Sequence, residues 1–154
     1  MPEQEVIDHA KRDAEEGKSP STQAGEFVRE EIDHVRQGKH GARSAQQAIA
    51  IGLSKARRAG IKLPPPKKGH TSAKVRQQAK RDLLKGRSRG TRPSPRRSRT
   101  TTNALRREST KSASRSALSR QARSSARARG SASRHRAAQA AARTRRGSRK
   151  TRSR

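Results

Sequence analysis

The sequence predicts a mostly α-helical protein, with a small helical unit at the N-terminal end and a long basic tail that is disordered or transiently helical. Three observations predict it. Most Val, Ile and Leu, and the one aromatic residue Phe27, lie in the first half and recur there at helical spacing. Ten of the twelve acids lie in the first 33 positions, leaving Asp82 and Glu108 beyond. From Arg87 onward the chain is mainly Arg, Ser, Ala and Thr, with 23 basic residues against Glu108 alone. Hydrophobic residues make up 26% and the net charge is +29, the signature of a chain that buries too little apolar surface to offset its ordering entropy. The packed part is therefore expected to be small.

Residues 1–63 are assigned to that unit, with helices at about 2–16, 21–37 and 44–59. Pro2 opens the first helix and Gly17 stops it, while Val6, Ile7, Ala10 and Ala14 form one stripe. Ala24, Phe27, Val28, Ile32 and Val35 line one face of the second, the strongest apolar stripe in the chain. The third begins with a capping box, Ser44 with Gln47 three residues on, and Gly60-Ile61 fits a Schellman stop. Its face is Ala45, Ala48, Ile49, Gly52, Leu53 and Ala56. Pro64-Pro65-Pro66 makes 64–70 an extended Pro/Lys linker. A basic helix is expected at 71–86, with Val75, Ala79 and Leu83 aligned and Gly86 at its end. The tail is assigned to 87–154.

One internal repeat stands out. Val6-x3-Ala10-Lys11-Arg12-Asp13-x3-Gly17-x-Ser19 recurs as Val75-x3-Ala79-Lys80-Arg81-Asp82-x3-Gly86-x-Ser88. The second copy exchanges Glu15 and Glu16 for Leu84 and Lys85, so it moves from the acidic to the basic half.

Charge names a class of partner. The first 33 residues carry ten acids against four bases, whereas the tail is a polycation in which 21 of 23 basic residues are Arg. Guanidinium forks fit phosphate, and each Arg that displaces a condensed counterion gains affinity whether or not a base is read. The candidate nucleic-acid-binding residues are Lys55, Arg57 and Arg58 at the end of the third helix and Lys67 and Lys68 in the linker. In the tail they are Arg99, Arg106, Arg107, Arg120, Arg123, Arg127, Arg129, Arg143, Arg145, Arg146 and the turn Ser94-Pro95-Arg96-Arg97, which can lay its Arg pair along a narrow minor groove. Lys55, Arg57 and Arg58 also suit a helix C-terminus electrostatically. With Phe27 committed to the core, no aromatic remains to stack on bases, which disfavours sequence-specific RNA recognition. A helix-turn-helix reading of helices two and three is weak: the connection is long, and Gln46 and Gln47 alone stand where bases are read.

Other chemistries are not supported. Gly17-Lys18-Ser19 lacks the first glycine of a P-loop. His9, His34, His40, His70 and His135 lack ligand spacing and partners, and there is no Cys, so no metal or other cofactor is expected. No carboxylate pair suggests catalysis, so no enzyme and no small-molecule substrate are expected. No apolar run reaches the roughly 18 residues of a membrane span, and the N-terminus has no signal-like apolar stretch. The expected compartment is the cytoplasm, at the nucleoid.

The stretch Gln47-Ala48-Ile49-Ala50-Ile51-Gly52-Leu53-Ser54-Lys55-Ala56-Arg57-Arg58-Ala59-Gly60, followed by Lys62 to Lys68, resembles the core motif of a family of short basic bacterial proteins of unknown function. The likeness covers about residues 9–69 and implies a bacterial origin but no chemistry. Some relatives carry a plasmid-stabilisation label. The tail resembles bacterial histone-H1-like tails, although those are richer in Lys. The leading expectation is a non-enzymatic, largely sequence-independent binder of duplex DNA. RNA or ribosome association is the alternative. A third reading is a plasmid-maintenance or interaction module that meets a protein through Phe27, Val28, Ile32 and Val35. Charge segregation also suggests that the acidic N-terminal helices compete with DNA for the tail.

Overall fold

The computed structural model describes residues 3–69, 71–88 and 94–152, with side chains up to residue 143. Pro2, the expected first helix start, lies outside the described residues. Seven α-helices and one 3-10 turn are present among them, with no β-strand; a lone bridge joins Lys68 and Thr71. The helices are α1 (Gln4–Glu15), α2 (Pro20–Arg36), α3 (Ala45–Arg58), α4 (Ala73–Arg87), α5 (Pro95–Arg106), α6 (Arg115–Ala128) and α7 (Gly130–Arg152). The 3-10 turn spans Thr110–Ala113.

Local chemistry places the boundaries. Ser19, Ser44, Ser72 and Ser94 each stand just before a helix and accept a hydrogen bond from the backbone N–H three residues on. The box at Ser44 differs in one detail: Gln47 Oε1 returns to the N–H of Arg43 at 2.8 Å, one residue earlier than the usual partner. At the other end of α3, Ile61 N–H bonds to Ala56 and Gly60 N–H to Arg57, both at 3.1 Å, the Schellman pattern. Gly60 takes φ +99° there, a value that residues with a Cβ rarely adopt.

Two small clusters form the core. Phe27 is fully buried with Ala10, Ala24 and Ala56, and Val6, Ile7, Leu53, Ile61 and Leu63 pack around them. Val35, Ala42, Ala48 and Ala113 form the second, with Ile32 against it. Burying Phe27 contributes about 1.5–3 kcal/mol. Among the described residues, eight of the ten buried hydrophobic residues are alanines, which let helices come close. At the α2–α3 crossing a Cβ on Gly52 would lie 2.7 Å from Val28 Cα.

The compact unit extends further than composition suggested: it ends at Ala117, beyond both 63 and 87. The helix expected as a separate basic element, α4, packs on α3, buries Ala79, and runs through Gly86 to Arg87. Gly86 is not a stop; a Cβ there would collide with the Arg57 carbonyl. The segment after α5 returns as well. Gly41 N–H donates to Leu105 O at 2.9 Å, Ala42 N–H to Ser109 O at 3.1 Å, and Arg36 Nε to Ala113 O at 3.1 Å. The repeat copies fold alike: both are helices whose alanines, Ala10 and Ala79, are buried.

The second unit begins at Leu118 and holds most of α6 and all of α7. The tail is thus helical over much of its length, where composition alone left it disordered or transiently helical. The described side chains of α7 are exposed apart from Ser133, so none of them joins a packed core.

Candidate nucleic-acid interface

The cations at the end of α3 are committed to the protein itself. Lys55 Nζ lies 2.8 Å from Glu31 Oε2 and 3.2 Å from Glu30 Oε2, both on buried carboxylates of α2. Arg57 is buried; its guanidinium donates to the carbonyls of Leu63 (3.2 Å) and Pro64 (3.3 Å), where the chain folds back after Gly60. Burial pushes its pKa below the ordinary value, with Asp82 opposing. Arg58 Nε donates to Asp82 Oδ1 at 2.8 Å, and Asp82 is fully buried with Gln78 as a second donor at 3.1 Å. Expecting Arg57 to touch phosphate is therefore wrong: it is a brace inside the unit. Lys55 and Arg58 each already hold a carboxylate.

The remaining candidates are placed differently. Lys67 and Lys68 are exposed in the Pro-rich segment. Ser94-Pro95-Arg96-Arg97 is not a free turn: Ser94 caps α5 by accepting from Arg97 N–H at 3.3 Å, and Pro95 is its first residue. This puts Arg96, Arg97 and Arg99 on an exposed helix. Arg106, Arg107, Arg120, Arg123, Arg127, Arg129 and Arg143 are also exposed. Arg145 and Arg146 belong to α7, but their side chains lie outside those described. Among the described residues, no basic side chain beyond Arg58 has a carboxylate partner within 4.0 Å. Charge segregation along the chain thus persists in space: the acids pair with Lys11, Lys18, Arg29, Arg36, Lys39, Arg43, Lys55 and Arg58.

Two further expectations change. Phe27 and Val35 are fully buried by α1, α3 and the 3-10 turn, so the strongest apolar stripe is covered by the chain itself. Two histidines do find partners. His34 Nε2 lies 3.1 Å from Glu3 Oε1, and His40 Nε2 lies 3.4 Å from Glu31 Oε1. The spacing Glu31-x-x-His34 on one helix face could have signalled the first half of this cluster. His40 could not be foreseen, because it arrives only after the turn at Gly38. Glu3 is held below the ordinary carboxylate value, first by the hydrogen bond to His34 and then by Lys39 at 3.2 Å.

No described helix is long and apolar enough to cross a membrane. A shallow, open depression of about 510 Å³ lies along α1, lined by Glu5, Asp8, His9 and Arg12. No curated protein and no solved structure matches the chain. Residues 15–68, the stretch from the end of α1 through α3 to the Pro-rich segment, match a family described as a family of unknown function (DUF6496).

Proposed function

We propose that this is a non-enzymatic DNA-binding protein, nucleoid-associated and histone-H1-like, that grips duplex DNA by neutralising phosphates with little base readout. One observation carries the reading: the described arginines of α5, α6 and α7 are exposed and have no carboxylate partner, whereas the cations at the end of α3 are consumed internally. An unpaired guanidinium array releases counterions when it meets a phosphate polymer. The helical unit is the carrier and the arm is the ligand-binding element.

The arm's helices fit this role. Like charges at i,i+4, such as Arg123 and Arg127, oppose a helix in water. Phosphate removes that opposition, so contact with DNA reinforces the helices of the arm.

The test is binding to duplex DNA across a salt series, using the whole chain and a version ending at Ala117. That end point preserves the buried Ala113, which a cut at Gly86 would remove. The whole chain is expected to give a log–log slope on the order of −5 to −9, corresponding to about 6–10 phosphates. The shortened chain should lose most of it. Equal affinity and equal slope for both would overturn the reading. The same series on duplex RNA separates the RNA alternative, which a tighter grip on RNA would favour.

A further inference from the structure

We propose that Glu31, His34 and His40 form a binding site for a divalent first-row metal ion of the Zn²⁺ type. A carboxylate oxygen of Glu31 and one ring nitrogen of each histidine all lie within 4.8 Å of one another. Glu31 and His34 are three residues apart on the last turns of α2, and His40 arrives from the loop that follows Gly38. One carboxylate and two imidazoles are a donor set that suits Zn²⁺.

A second observation points to a ligand. Glu31 is fully buried, yet neither of its oxygens accepts a hydrogen bond. Lys55 approaches Oε2 to 2.8 Å without hydrogen-bonding alignment. Oε1 faces His40 Nε2 at 3.4 Å. The opposite nitrogen, His40 Nδ1, lies 3.1 Å from the Gly41 carbonyl, which can only accept. Nδ1 therefore carries a proton, and in the singly protonated ring Nε2 presents its lone pair to a carboxylate oxygen. Two electron pairs face each other across 3.4 Å, an arrangement that requires a cation between them or a second proton on the ring. Ligands about 2.0–2.2 Å from a tetrahedral ion stand roughly 3.3 Å apart, so this pair is already at ligand separation.

The surroundings agree. His34 Nε2 lies 3.1 Å from the acceptor Glu3 Oε1, and a ring nitrogen of His34 lies within 4.8 Å of the ligand atoms of Glu31 and His40. Each ring is thus held by an outer acceptor, as metal-bound histidines usually are. Charge also favours a cation: Glu30 and Glu31 are buried with Lys55 as their shared ammonium, leaving one negative charge uncompensated. A bound ion would pin the end of α2 to the loop whose Gly41 and Ala42 hold the Leu105–Ala113 segment. The role so assigned is structural.

The test uses the full chain, metal-stripped and titrated with Co²⁺ and then Zn²⁺. One equivalent of Co²⁺ should give the visible absorption of a four-coordinate nitrogen–oxygen site, and Zn²⁺ should abolish it. Calorimetry should show one Zn²⁺ per chain. H40Q, at a partly exposed position, and E31Q should each weaken Zn²⁺ binding by roughly a hundredfold. H135Q, in α7, should leave it unchanged. Circular dichroism checks that each variant folds, and the Co²⁺ spectrum of the unaltered chain needs no variant. No Co²⁺ band, sub-stoichiometric Zn²⁺, or binding that survives H40Q would overturn the site and leave a protonated His40 as the partner of Glu31.

Discussion

The compact unit and the arm use the same residue types to opposite ends. Lys55, Arg57 and Arg58 are as basic as Arg120, Arg123 and Arg127, yet the first three are tied to Glu30, Glu31, Asp82 and two backbone carbonyls. What differs is the supply of acceptors. Where carboxylates are plentiful and the chain folds back on itself, a cation becomes part of the fold. Where they run out, it stays exposed with its charge uncommitted. A basic residue in a sequence therefore predicts phosphate contact only after its local acceptors have been counted.

The comparison breaks most sharply in the arm. Replacing Arg120, Arg123, Arg127 and Arg129 by Gln should leave the Tm of the compact unit unchanged. The DNA-binding salt slope should fall by about three to four, which at 0.1 M salt is on the order of a thousandfold in affinity. Salt titration and thermal melting of the same samples check it; a lowered Tm with an unchanged slope would reverse the assignment.

The converse change is Lys55→Met. It leaves two buried carboxylates without their ammonium, and removing one partner of a buried pair costs about 3–5 kcal/mol. Denaturant unfolding measures it. Loss of DNA affinity without loss of stability would mean that Lys55 serves the interface after all.

Gly52→Ala probes the unit's packing. The new Cβ meets the α2 backbone, which cannot turn aside, so a cost of about 1–3 kcal/mol is expected with the salt slope intact. The smallest effect concerns Glu3, which is exposed. Its pKa is lowered from an ordinary 4.5 by His34 and Lys39, so its contribution is present above that value and is lost as pH falls through the lowered one. Protection factors of the amides at the start of α1 should fall on acidification, and Glu3→Gln should remove that pH step.

Helix ends were legible because their causes are local. Ser44, Gly17 and Gly60 act within a few residues of themselves, so a capping motif read along the chain reappears in space. The stripe Ala24, Phe27 and Val35 was legible for the same reason. The return of Leu105–Ala113 was not. Two of its bonds join backbone to backbone and the third ends on a carbonyl, so no side-chain pattern announces them, and Ala113 looks like any other alanine of the tail. The role of Arg57 was hidden too, since its acceptors, Leu63 O and Pro64 O, exist only once the chain turns at Gly60. The cluster around Glu31 joins α2 to the loop that follows Gly38, and helical spacing showed only its Glu31–His34 half.

The clasp of Gly41 and Ala42 on Leu105 and Ser109 has a mechanical side. A tug on the C-terminal end of the chain reaches this clasp before it reaches the spacer between α4 and α5. It loads two main-chain bonds beside the α2–α3 junction, so the force meets the backbone of the compact unit directly.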